Sequence, residues 1–140
     1  MNDFINIYTD GGARGNPGPA AIGVYITDSN SRQIAGFGEK IGVSTNNVAE
    51  YKAVIEALSW IAENKKTLKI AKIYFFLDSL LVYSQIVGLY RVKNSNLRNL
   101  LLAVREKEAE IEGPIYYKHI PREQNKIADM YVNKALDNII

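Results

Sequence analysis

Residues 70–77, Ile-Ala-Lys-Ile-Tyr-Phe-Phe-Leu, constrain the fold more than any other stretch. The run is nearly all apolar and ends on an acid, Asp78. A continuous apolar run of this length suits a strand buried on both faces, which needs helices above and below a sheet. The rest of the chain offers both partners. Residues 4–9, 20–27 and 34–43 read as strands, the last two joined by the turn cluster Asp28-Ser29-Asn30-Ser31. Three short strands with tight turns predict an antiparallel meander.

Ser44-Thr45-Asn46-Asn47 then opens a helix, and several of these residues can cap its free N–H groups. Tyr51, Val54, Ile55, Leu58, Ile61 and Ala62 follow at helical spacing, and residues 63–66 read as its end. After Asp78, residues 79–87 read as helical and 88–95 as a short connection. Residues 97–111 form a further helix, broken by Gly113-Pro114. Residues 115–120 make a fifth strand, 121–124 a loop and 125–137 a last helix, with Ala128, Val132, Ala135 and Leu136 facing the core. The order β-β-β-α-β-α-α-β-α predicts an α/β domain over residues 1–140: a five-stranded mixed sheet with helices on both faces.

Composition narrows the chemistry. No cysteine is present, so disulfides, thiolate metal sites and a cysteine nucleophile are excluded. One histidine excludes zinc sites built on several. A metal here must sit on oxygen ligands, which favours magnesium, manganese or calcium. A net charge of +2 does not by itself argue for nucleic acid. No apolar run is long enough to span a membrane and the N-terminus lacks a signal-peptide pattern, so a cytoplasmic protein is expected.

Four acids stand where chemistry would need them. Asp10 closes the first strand beside a loop with four glycines, Gly11, Gly12, Gly15 and Gly18, which lets backbone N–H groups approach a ligand. Glu50 lies on or beside the buried face of the first helix, Asp78 ends the apolar strand, and Asp129 sits near the stripe of the last helix. Each has a plain structural alternative. Asp-Gly is a turn signal. A first-turn acid suits the helix dipole. Asp caps helices. Most helical acids are solvated surface.

Taken together, the ordered motifs TDGG-x-x-GNPGP, TNN-x-AE, DS and H-x-PRE-x-N-x-x-AD resemble type 1 ribonuclease H over residues 5–136. The resemblance implies that strands one and four are central neighbours and that Asp10, Glu50, Asp78 and Asp129 are the catalytic carboxylates. It implies two Mg²⁺ ions, with Mn²⁺ as a substitute, roughly 4 Å apart about the scissile phosphate. Asp10 would bridge them, with Glu50 and Asp78 on the leaving-group side and Asp129 on the water side. The implied activity is endonucleolytic hydrolysis of the RNA strand of an RNA–DNA hybrid, leaving 5′-phosphate and 3′-hydroxyl ends. The loop of Gly11, Gly12, Ala13, Arg14, Gly15 and Asn16 would contact the RNA. Asn16, Asn46 and Gln85 would read the minor groove, and Thr45 and Asn47 would meet the DNA phosphate or cap the helix. Ser79 would also touch substrate.

The connection over residues 88–95 is too short for the basic helix of many bacterial members, leaving Arg91 and Lys93. This matches a compact subgroup of archaeal and bacterial-plant type, some members of which also cut double-stranded RNA. A monomer is expected. Arg122, in the loop before the last helix, is preferred to His119 as the auxiliary group at the phosphate. Two other readings use the same fold: a non-catalytic nucleic-acid binding module, and a DNA strand-transfer or resolvase-type nuclease.

Overall fold

The computed structural model describes residues 4–139, so residues 1–3 and 140 of the expected domain lie outside the described residues. Strands β1 (Phe4–Ala13), β2 (Gly18–Asp28) and β3 (Gln33–Ser44) form the meander. Helix α1 (Asn46–Leu68) crosses back and β4 (Lys72–Leu77) enters parallel to β1. Helices α2 (Leu80–Ile86) and α3 (Ser95–Ala109) lead to β5 (Ile115–His119), parallel to β4. A single 3-10 turn, Arg122–Gln124, precedes α4 (Lys126–Leu136). The sheet order is β3-β2-β1-β4-β5, the expected five-stranded mixed sheet.

Strand alternation sorts the two faces. Ile5 and Ile7 of β1, Val24 and Ile26 of β2, and Ile73, Phe75 and Leu77 of β4 are buried with Tyr51, Val54, Leu58 and Ile61 of α1. On the other face Ala21 packs with Val132 and Ala135 of α4. Burying this apolar surface is the main stabilising term, at about 25 cal/mol per Å².

Three expectations are corrected. First, β1 does not end at Asp10. The glycine stretch keeps pairing with β2 as far as Ala13 opposite Ala20, so Asp10 lies within the strand, opposite Gly23. Backbone pairing needs no side chain, so a glycine run that reads as a loop can still continue a ladder. Second, α1 runs past residues 63–66 to Leu68 and ends on Lys69, whose φ of 52° is left-handed. Lys65 and Lys66 occupy its last turn, where the helix dipole favours cations, and the Lys65 Nζ donates to the Glu110 carbonyl at 2.6 Å. Third, β4 is fully covered on one face only. Helix α4 packs over β1, β2 and β3, and the outward Tyr74 and Phe76 are half-buried under neighbouring rings. Tyr8 stacks on Phe76 at 4.8 Å between centroids and Tyr74 on Tyr116 at 5.4 Å.

Two glycines let the helices press onto the sheet. A Cβ at Gly11 would stand 2.2 Å from the Ala49 carbonyl carbon, and one at Gly23 would stand 2.1 Å from the Ala128 carbonyl oxygen. The backbones of α1 and α4 therefore touch the two faces of the sheet beside Asp10. The residues next in sequence to these contacts are Glu50 and Asp129.

Candidate active site

Register places the first two acids side by side. Thr9 of β1 pairs with Leu77 of β4, so Asp10 and Asp78 are the next residues on adjacent parallel strands. Glu50 enters from the second turn of α1 over Gly11. One carboxylate oxygen from each of Asp10, Glu50 and Asp78 lies within 4.8 Å of the others.

The trio is short of counter-charge. Asp10 is 8% exposed and Glu50 6%. Among the described residues no ion pair involves either of them or Asp78. Burial pushes the Asp10 carboxyl up to about 7; a hydrogen bond with Glu50 opposes this, and the charges of Asp78 and Asp129 add to it. Burial also holds Glu50 well above the usual carboxylate range, followed by the charge of Asp10, with the Gly11 amide working against both. Glu50 Oε2 is buried without a hydrogen-bond partner. Converging acids with an orphaned oxygen fit a hard divalent cation on oxygen ligands.

Asp129 stands apart from the trio. It is exposed, its Oδ2 accepts from Asn133 Nδ2 at 3.3 Å, and it lines the same cavity, of about 460 Å³. Its charge and a side-chain hydrogen bond both act on Asp10 and push that carboxyl up.

A family model described as reverse transcriptase-like matches residues 8–135. The chain is 36% identical to a bifunctional protein of Mycobacterium tuberculosis over 95% of its own length and 35% of the relative's. It is also 36% identical to ribonuclease HI of Halobacterium salinarum, over 96% of its own length and 65% of the relative's. The chain thus spans about a third and about two thirds of these two relatives. LC11-RNase H1, isolated from compost, solved in complex with an RNA/DNA hybrid, superposes with a TM-score of 0.91 at 41% identity, covering 96% of this chain and 98% of that one. The chain belongs to the type 1 ribonuclease H family.

The other residues expected of a ribonuclease H site divide into two groups. Gly11, Gly12, Ala13, Arg14, Asn46, Asn47, Ser79 and Arg122 line the acidic cavity. Several are tied down within the protein. Asn46 Oδ1 accepts from the Ala13 N–H at 2.9 Å, and the Asn46 N–H donates to Asn16 Oδ1 at 3.0 Å, fastening the glycine stretch to the start of α1. Arg14 donates to Asp137 at 2.6 Å, joining that stretch to the end of α4. Thr45 caps α1 as its plain reading expects, whereas Ser79 and not Asp78 caps α2, so the capping alternative for Asp78 does not hold.

Gly15, Asn16, Thr45, Gln85, Lys93 and His119 are not in the cavity lining. Gln85 is buried, its Oε1 accepts from the Tyr51 hydroxyl at 2.7 Å, and it borders a separate cavity with Arg98 and Arg105. Helix α2 presents Leu80 to the acids instead, five residues earlier. Lys93 is exposed on the connection before α3. His119 is exposed on β5, its Nε2 3.2 Å from the Asp78 carbonyl oxygen. Asn125, the asparagine of the motif H-x-PRE-x-N-x-x-AD, is 1% exposed and donates from Nδ2 to Asp78 Oδ2 at 2.8 Å, a contact that the motif alone does not signal.

The ribonuclease H acids impose a pH dependence on the metal-free protein. Between about 4 and about 7 the folded state keeps a proton on Asp10 that the unfolded chain, with an ordinary carboxyl, has released. The folded state then binds more protons, so stability falls as pH rises through that window and stays low above it. Urea unfolding in EDTA should show lower stability at pH 8 than at pH 5. Asp10→Asn should recover about 1–3 kcal/mol at pH 8 and nothing near pH 4. Equal gains at both pH values would locate the effect elsewhere.

Proposed function

We propose that the chain hydrolyses the RNA strand of RNA–DNA hybrids endonucleolytically, leaving 5′-phosphate and 3′-hydroxyl ends. The observation that carries this is the convergence of Asp10, Glu50 and Asp78 without counter-charge, in a chain 41% identical to a protein solved with an RNA/DNA hybrid. Asp10, Glu50 and Asp78, with Asp129 lining the same cavity, would hold two Mg²⁺ ions, Mn²⁺ serving as substitute. Bound there, such ions lower the pKa of the attacking water and stabilise the leaving oxygen.

The chain's own groups do the rest. The backbone of β1 beyond Asp10 lines the cavity on the side where the RNA strand would lie. The 2′-hydroxyl distinguishes that strand from DNA, and Glu50 is the candidate to accept a bond from it. Asn47 and Arg122 line the same cavity and are the candidates for phosphate contacts. No helix among the described residues is long and apolar enough to cross a membrane.

The deciding experiment is one cleavage panel with Mg²⁺ or Mn²⁺. Its substrates are hybrid, double-stranded RNA, single-stranded RNA and a duplex with one ribonucleotide. Cutting of hybrid alone, or of hybrid and double-stranded RNA, supports the reading. Binding without cutting would favour the non-catalytic module, and cutting of DNA the strand-transfer class.

Arg122 gives a second test. Its guanidinium lines the cavity, and no ion pair among the described residues involves it. It can hold a phosphate oxygen in two-point contact. Arg122→Ala should lower kcat by about tenfold or more with a smaller rise in KM, and His119→Ala should do less. Steady-state kinetics of both on one hybrid decide it, and a larger kcat loss from the histidine variant reverses the assignment.

A further inference from the structure

Asn125 sits outside the acidic cavity, on the wall of a neighbouring one lined by Tyr8 and Tyr25, yet it bonds at or beside three of the four acids. It follows the 3-10 turn and precedes α4, where an asparagine reads as an N-cap, but its side chain makes no capping bond. Its Nδ2 donates instead to the Thr9 carbonyl at 2.9 Å and to Asp78 Oδ2 at 2.8 Å. Both partners are acceptors, so the amide must turn its NH₂ group toward them. Its own carbonyl accepts the Asp129 N–H at 3.2 Å. One residue is therefore bonded to the backbone beside Asp10, the side chain of Asp78 and the backbone of Asp129.

We propose that Asn125 is a positioning residue that fixes the Asp78 carboxylate for metal binding. It commits Oδ2 to an amide donor and leaves Oδ1 free to face Asp10 and Glu50. A neutral donor suits this place. A lysine or arginine would neutralise the cluster, and an aspartate would add a further charge and donate nothing. The arrangement is also costly for the protein alone. Asn125 Oδ1 is buried without a partner, as is Glu50 Oε2. A buried polar group left unpaired is destabilising, so the fold keeps this amide at a loss that the aim of Asp78 accounts for. Groups that orient a metal-ligating carboxylate typically change metal affinity or activity by 10–100-fold when removed.

This rests on the acids being a metal site, so the test starts with the metal alone. Mn²⁺ binding is measured by calorimetry for the wild type, Asp10→Asn, Asn125→Ala and Asn125→Ser. The wild type should bind, and Asp10→Asn should not. If wild type and Asp10→Asn behave alike, the metal site itself fails, and this inference with it. If they differ, Asn125→Ala should bind Mn²⁺ at least about tenfold more weakly, and Asn125→Ser, which keeps one donor, should lie between. In cleavage, kcat of Asn125→Ala should fall with KM for hybrid little changed, and raised Mn²⁺ should restore it. A damaged fold would not be rescued in this way. Mn²⁺ affinity within about twofold of wild type in either folded variant overturns the proposal. So does loss of the fold in both variants, which would make Asn125 a residue of the core first.

Discussion

Asp10→Asn removes cleavage, with kcat lower by about three orders of magnitude or more, while the protein stays folded. Asp10 lies inside β1, paired with Gly23 of β2 and one residue beyond the last pair with β4, so a rigid element holds its carboxylate. Its carboxyl responds to Glu50, Asp78 and Asp129 alike, which puts it at the electrostatic centre of the cluster. An amide of the same shape would supply no charge to the proposed metal ions. Several kcal/mol of transition-state stabilisation should go with it, and each 1.4 kcal/mol is about tenfold in rate. Folding is spared because the variant relieves repulsion rather than creating a hole. Single-turnover cleavage of a hybrid at saturating Mg²⁺, beside a circular-dichroism melt, measures both. More than about a tenth of the wild-type rate would reject the central role.

Gly11→Ala produces the largest loss of stability, at least about 3 kcal/mol, and takes activity with it. The new methyl would lie 2.2 Å from the Ala49 carbonyl carbon, 2.3 Å from its oxygen and 2.4 Å from the Glu50 nitrogen. All three are backbone atoms of a 23-residue helix and cannot swing aside as a side chain could. Relief requires α1 to lift off β1 by more than an ångström, which opens the core under Val54 and Leu58 and carries Glu50 away from Asp10. Overpacking usually costs 1–3 kcal/mol, and a clash with backbone lies at the upper end or beyond. Gly12→Ala is the control. Its Cβ would meet Val132 Cγ1 at 3.7 Å, an ordinary contact on the other face. Urea midpoints should separate the two variants clearly, and a Gly11→Ala within about 1 kcal/mol of wild type would show that the helix contact is soft.

These two residues also show what could be read in advance. Element order and sheet type follow from apolar runs and turn signals, whereas the meeting of Asp10 with Asp78 is implied only by the resemblance of the motifs to ribonuclease H. That Gly11 exists for helix contact is not written in the pattern, because a glycine after an aspartate looks like a turn until the opposing backbone is in place. The same limit hid the true end of α1. Glu63, Lys65 and Lys66 resemble a helix terminus, but polar residues also continue a solvent-facing side, and only the left-handed Lys69 marks the stop. Gln85 was misplaced for a geometric reason. Polar residues on a seven-residue helix carry too little periodicity to fix which face they occupy, and a tyrosine hydroxyl across the core claimed this one. Asn125 went without a role because local sequence suggests only local bonds, whereas its partners are 47 and 116 residues away.

The placement of the four acids along the chain has a bearing on how the protein could be divided. Asp10, Glu50 and Asp78 all precede the connection over residues 88–95, within the stretch that forms β1 to β4 with α1 and α2. Asn125, Arg122 and Asp129 come after it, on the turn and helix that close over β1 to β3. A chain opened at this exposed connection would keep the charged trio in one piece and the groups that aim and complete it in the other. Neither half alone would hold a finished site. Cleavage would then report the rejoining of two fragments, with the Gly23–Ala128 and Arg14–Asp137 contacts among the seams that must close.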